Sequence, residues 1–150
     1  MYKLVTFILF MYMTNAELLL NIGKKGATLK PLSVCCDIPE IGDAKHLETC
    51  SYSHRKGPCS DVKCVFEESR FLLDQKTLNK ESYKNHLKKW AEDNKGWSIA
   101  VEEVIKDCVD KEPRQHLNYS CVAYDVFACT GFALLKKCPP AAWKCGYEIL

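Results

Sequence analysis

Ten cysteines in a chain of 150 residues set the terms on which it can fold. They stand at positions 35, 36, 50, 59, 64, 108, 121, 129, 138 and 145. At about 7% of residues, cysteine lies above ordinary usage and just under the density of a pure disulfide scaffold. An even set pairs into bridges in an oxidising compartment, whereas in a reducing one it points to metal or catalysis. The N-terminus bears on which applies. Met1, Tyr2 and Lys3 make a short positive start. Leu4 to Met13 is apolar except for Thr6, and Thr14, Asn15 and Ala16 offer a cleavage site ending in a small residue. This is the layout of a secretory signal peptide, and the stretch is too short to cross a bilayer. Residues 1–16 are therefore read as a signal peptide and 17–150 as one secreted, extracellular domain with five disulfides.

The rest of the composition removes whole classes of function. There are 21 basic and 19 acidic residues, a formal charge of +2, and loss of Lys3 with the leader leaves 20 against 19. That balance does not serve a nucleic-acid binder, which needs a clustered basic excess. No apolar run has the length of a membrane span. No Cys-x-x-Cys occurs, and His46, His54, His86 and His116 are scattered, so neither a metal site nor a cofactor is expected. Phosphate-binding glycine loops, His-Glu-x-x-His and Gly-x-Ser-x-Gly are missing. A small secreted phospholipase would place a histidine soon after Cys35-Cys36, but Asp37-Ile38-Pro39-Glu40 follows and the general base is lacking. The adjacent pairs Glu67-Glu68 and Glu102-Glu103 would project about 100° apart on a helix, which suits solvated faces rather than paired catalysis. No enzyme is expected. One glycosylation sequon, at Asn118, is noted.

Apolar spacing predicts helices. Asn79 is placed to cap a helix to about Asn94, with Tyr83, Leu87, Trp90 and Ala91 on one stripe. Ser98, preceded by Trp97 as a hydrophobic staple, starts a helix to about Val109 with Val101, Val104, Ile105, Cys108 and Val109 inward. Ser60 caps a helix to about Asp74, with Cys59 just outside it and Val62, Val65, Phe66, Ser69, Leu72 and Leu73 as its stripe. A last helix begins near Ser120, passes Val122, Ala123, Val126 and Phe127, kinks at Gly131 and stops before Pro139-Pro140. Glycines and prolines make residues 17–34 and 37–58 loops with short helical turns. No segment alternates as a half-buried strand does.

Cys64 and Cys108 enclose 43 residues, Cys129 and Cys138 enclose eight, and Pro139 follows at once. The Cys35-Cys36 pair precedes Ile38-Pro39, and Trp97 lies eleven residues ahead of Cys108. Together these resemble the insect odorant-binding proteins, in particular their Plus-C subgroup, over about residues 35–145. The spacing departs from that pattern in places. Cys59 and Cys64 enclose four residues rather than three, Cys121 lies close before Cys129, and ten cysteines replace the twelve common in the subgroup. A second register is open: Cys121-Val-Ala-Tyr-Asp-Val-Phe-Ala-Cys129 is similar to a stretch of the simpler six-cysteine members, which makes Cys138 and Cys145 additions.

The resemblance implies an all-α, disulfide-stapled bundle of about six helices around a hydrophobic cavity. It implies a non-enzymatic carrier for odorants, pheromones or similar apolar molecules. The partners are a small hydrophobic ligand and, beyond it, a chemoreceptor or a second copy. In the first register it also implies bridges from Cys35 or Cys36 to Cys64, Cys59 to Cys129 and Cys108 to Cys138. The apolar stripes supply the candidate pocket: Val65, Phe66, Leu72, Leu73, Leu87, Trp90, Val101, Val104, Ile105, Val126, Phe127, Phe132, Leu135 and Trp143. A solid core needs the same residues. The apolar tail of Ala141, Ala142, Trp143, Tyr147, Ile149 and Leu150 is either an outer core layer or a cover for the pocket. The competing reading is a secreted interaction protein or inhibitor acting through its surface, and the least favoured is a small hydrolase.

Overall fold

The computed structural model describes residues 29–31, 33–51 and 57–145. Residues 1–16, where a leader is expected, and the tail residues Tyr147, Ile149 and Leu150 lie outside these. Five α-helices follow in order: α1 (Ala44–Ser51), α2 (Pro58–Glu68), α3 (Lys80–Asp93), α4 (Ser98–Val104) and α5 (Val122–Lys136). A π-helical turn, Ile105–Val109, continues α4, and a 3-10 turn, Pro140–Ala142, follows α5. Among the described residues, β structure is confined to two isolated bridges, so the domain is an all-α bundle stapled by disulfides.

The helix ends follow local chemistry. Asn79 caps α3 through its side-chain oxygen, which accepts the Ser82 amide at 3.2 Å. α2 begins at Pro58, so Cys59 lies inside the helix and Ser60 is not its cap; the Ser60 hydroxyl donates to the Gly57 carbonyl instead. α2 stops at Glu68 and does not reach Asp74. Arg70 adopts a left-handed backbone (φ 57°), and the Phe71 amide turns back to the Phe66 carbonyl at 2.8 Å. Asp74 then closes a tight loop by accepting the Lys76 amide and the Thr77 hydroxyl, which pairs Leu72 with Leu78 and leaves Leu73 68% exposed. At α4 the cap position is Trp97 rather than Ser98. Its ring is buried edge-on against Trp90, 5.6 Å between centroids, so packing positions this helix start. α5 has no break at Gly131. A side chain there would meet the ring of Pro31 at 2.9 Å, so the glycine permits close approach of another segment.

The bridges are Cys35–Cys145, Cys36–Cys138, Cys50–Cys64, Cys59–Cys121 and Cys108–Cys129. This corrects the pairings of Cys64, Cys59 and Cys108 expected from the first register. Cys59 and Cys64 are five residues apart on one helix, about 140° in rotation. They therefore face different neighbours, Cys64 toward Cys50 on α1 and Cys59 toward Cys121 at the start of α5. Cys129, within α5, reaches Cys108 on the π turn. Cys138 lies nine residues further on, about 13 Å at helical rise, and is out of reach of Cys108. Six central cysteines thus interlock first to third, second to fifth and fourth to sixth, and Cys138 and Cys145 lie outside this set, where the second register puts them. The remaining four clasp the chain ends. There Asp37 donates its amide to the Ala142 carbonyl (2.8 Å), and Lys144 donates to that of Cys35 (2.7 Å).

The core is filled by Val65, Phe66, Phe71, Tyr83, Leu87, Val101, Val104 and Val126, with Leu29, Ile38 and Ile41 added by the N-terminal segment. Phe66, Phe71 and Tyr83 stack tilted or edge-on, 5.1–5.5 Å apart. The fully buried Tyr83 hydroxyl bonds the buried Thr130 hydroxyl at 3.0 Å, joining α3 to α5. Burial pushes the Tyr83 phenol well above its usual value, so it stays neutral. Thr130→Val is expected to strand the Tyr83 hydroxyl and cost about 1–3 kcal/mol in urea unfolding. Adding Tyr83→Phe should recover much of that loss. Equal losses in the single and double variants would show that the hydrogen bond has no such role.

Candidate functional site

α5 is apolar almost all round. Ala123, Val126, Thr130 and Leu134 face the core and are buried. Tyr124, Phe127, Ala128, Gly131, Phe132 and Leu135 recur at helical steps of three and one on another face. A helix with a second apolar face needs a second covering. Here that face forms one wall of a surface-open groove of about 330 Å³, closed on the other sides by Lys30, Pro31 and His116. The volume falls in the range of small-molecule sites.

Each wall has its own support. Pro31 rides on Gly131, where the missing side chain sets the approach. The stretch around it is held by Glu40, whose Oε1 accepts the amides of Leu29 (2.7 Å), Ile41 (3.1 Å) and Gly42 (3.1 Å). The Glu40 carbonyl accepts the Trp90 indole N–H at 2.8 Å, which ties the same stretch to α3. His116 is fixed through its backbone: its amide donates to Oδ1 of buried Asp125 at 2.7 Å. Its ring stacks on Phe132, 5.8 Å between centroids. Phe132 is 64% exposed, an unusual position for a phenylalanine on a packed helix.

Of the candidate pocket residues, the structure brings together Phe127, Phe132 and Leu135. Val65, Phe66, Leu87, Val101 and Val104 are buried in the core. Leu72, Ile105 and Trp143 pack partly buried against it. Val126 borders a second groove on another side of α5, and Trp90 borders a more polar hollow beside Glu40 and His86. Leu73 faces solvent. Tyr124, Ala128, Gly131, Lys30, Pro31 and His116 were missed from sequence. The stripe through Tyr124, Ala128 and Gly131 is legible there, but a presumed kink at Gly131 hid it. Lys30 and Pro31 come from a distant segment, and His116 from the stretch just before α5. Asn118 lies exposed two residues beyond His116.

His86, by the polar hollow, donates Nε2–H to the Ile41 carbonyl at 2.6 Å. Burial lowers its pKa below the ordinary 6.5. The carbonyl and Asp43 pull it upward, and Lys89 and His46 push it down. With the folded value below the unfolded one, the unfolded chain binds more protons as pH falls. Stability should be full above about pH 6.5 and decline below it. His86→Gln should flatten that decline in urea midpoints measured at pH 7.5 and 5.5; an unchanged slope would assign it to other groups.

Among the described residues there is no cluster of His, Cys, Asp or Glu suited to a metal ion, and no helix long and apolar enough to cross a membrane. No protein-family model matches the chain. No solved structure matches it. Among curated proteins, the chain is similar to General odorant-binding protein 68 of Anopheles gambiae, at 25% identity over 56% of this chain and 45% of that protein. The chain thus spans under half the length of this relative. The likeness supports the odorant-binding resemblance carried by the cysteines and does not reach to a subgroup.

The contact at Gly131 is itself testable. In Gly131→Ala the helix gains about 1 kcal/mol of propensity, while the crowded Pro31 ring costs about 1–3 kcal/mol. Net stability should fall by about 0–2 kcal/mol. Hydrogen exchange at the Leu29 amide should quicken as the covering segment lifts, while α5 stays protected. Unchanged exchange at Leu29 would show that Pro31 does not depend on the glycine.

Proposed function

We propose that the chain is a secreted, non-enzymatic carrier of small apolar molecules, with residues 1–16 its leader and 17–150 the working domain. The groove against α5 holds the ligand. One observation carries the reading: a folded helix keeps a full apolar stripe, Tyr124 to Leu135, facing a groove of about 330 Å³ in place of protein. The name of the mosquito relative and the interlocked central bridges support it. Plus-C membership has less behind it. Its marker, a proline directly after the sixth cysteine, here follows the outer cysteine Cys138, and Thr130 follows the sixth of the interlocked set.

Such a groove binds by shape and desolvation. Lys30 and His116 stand at its polar edge, so selectivity for one ligand is expected to be broad. Affinity for a neutral apolar probe should be about 1 μM. Phe132→Ser with Leu135→Ser removes apolar wall while leaving the fully buried core residues in place and should weaken the probe about tenfold or more. Circular dichroism should be unaltered. If the intact, fully bridged protein binds no apolar probe, the carrier reading fails and a surface-acting interaction protein replaces it.

A further inference from the structure

The sequence holds one Asn-x-Ser/Thr triplet without a central proline, Asn118-Tyr119-Ser120. In a secretory compartment such a triplet accepts an N-linked oligosaccharide where the fold presents it on the surface. Asparagine and serine just before a helix also have a plainer use, closing turns and capping the helix start.

The structure separates the two uses. The triplet lies between the π-helical turn and α5, where residues 111–121 have no helix or strand. The backbone is pinned on both sides of it. The His116 amide is held by the buried Asp125 carboxylate and Leu117 packs against the core, while Cys121 is buried and bridged to Cys59 on α2. Between these anchors Asn118, Tyr119 and Ser120 are exposed in succession. The cap position of α5 falls on Cys121, so Ser120 is not the helix cap. Asn79, Asn85 and Asn94 each commit a side-chain amide to the fold, donating to the Arg70 carbonyl, the Glu81 carboxylate and the Trp90 carbonyl. Asn118 makes no such bond among the described residues, so its Nδ2 and the Ser120 hydroxyl both face solvent uncommitted.

We propose that Asn118 is an N-glycosylation site. The proposal rests on the secreted reading of the chain. In the transfer, Nδ2 of Asn118 attacks the anomeric carbon of an oligosaccharide carried on a lipid pyrophosphate. A bond from Nδ2 to that carbon forms as the bond from the carbon to the phosphate oxygen breaks. The lipid pyrophosphate leaves with the electron pair, and Nδ2 gives up one proton to the transferase. The attachment point is two residues from His116, at most about 7 Å by chain length, so the oligosaccharide stands beside the rim of the first groove.

The test makes the protein in cultured insect cells in two forms, the full chain with its own N-terminus and residues 17–150 behind a standard secretory leader. Both should leave the cell heavier than their sequence by one oligosaccharide. Peptide N-glycosidase in heavy-oxygen water should remove the excess mass and convert Asn118, in the tryptic peptide 115–136, to aspartate with one heavy oxygen. Asn118→Gln and Ser120→Ala should each lose the added mass completely, and Ser120→Thr should keep it. These positions are exposed, so circular dichroism should be unchanged in all three variants. An unmodified residue 118 in the protein behind the standard leader, whether in the medium or inside the cells, would overturn the proposal, as would an oligosaccharide that survives Ser120→Ala. Failure of the full chain alone to reach the medium would remove the leader reading, with the acceptor site still decided by the second form.

Discussion

Helix α5 is pinned at its start and middle by two disulfides, and both grooves depend on that restraint. Cys121, at the cap position, is bridged to α2, and Cys129, two turns on, is bridged to the π turn after α4. A helix apolar on several faces would otherwise rotate or slide to bury all of them. Two covalent anchors prevent both movements. Val126, Thr130 and Leu134 stay on the core, and the stripe from Tyr124 to Leu135 stays outside. The buried Tyr83–Thr130 hydrogen bond adds an orientation check, because a rotated α5 would leave a hydroxyl unpaired in the core.

The outer bridges work on the chain ends. Cys35–Cys145 and Cys36–Cys138 close loops of 110 and 102 residues, where cross-linking removes the most freedom from the unfolded chain in the entropic account. They hold the N-terminal segment where Pro31 can meet Gly131 and Glu40 can gather three amides. The first groove therefore has one wall from a helix and another from a segment with no regular structure of its own. A groove of this size leaves apolar surface uncovered, and five bridges at about 2–4 kcal/mol each help the domain tolerate that.

Much was legible in the sequence, for local reasons. The helix from Asn79 follows from a capping residue and a regular stripe, and its first turn is as expected. The all-α class follows from helical spacing without strand alternation. Where several local signals competed, packing chose among them. Ser60 and Ser98 both look like caps, yet Pro58 and the buried Trp97 set those helix starts. Gly131 reads as a kink in isolation and acts as a seat for Pro31. Val65, Phe66, Leu87, Val101 and Val104 satisfy the same stripe rule as Phe127 and Leu135, because periodicity shows which face is apolar and not what covers it.

The bridge map shows the same division. Cysteine number, the absence of metal spacing and apolar residues at helical steps are properties of the chain as written, and they point to a disulfide-held helical domain. Which cysteine meets which depends on helix phase and rise in three dimensions. A separation of five residues turns Cys59 and Cys64 to different neighbours, and nine residues carry Cys138 past the reach of Cys108. The grooves depend on tertiary structure in the same way. Lys30 and Pro31 stand 94 and 93 residues before Tyr124 along the chain, and the groove exists only once the bundle and its bridges bring them, with His116, to one side of α5.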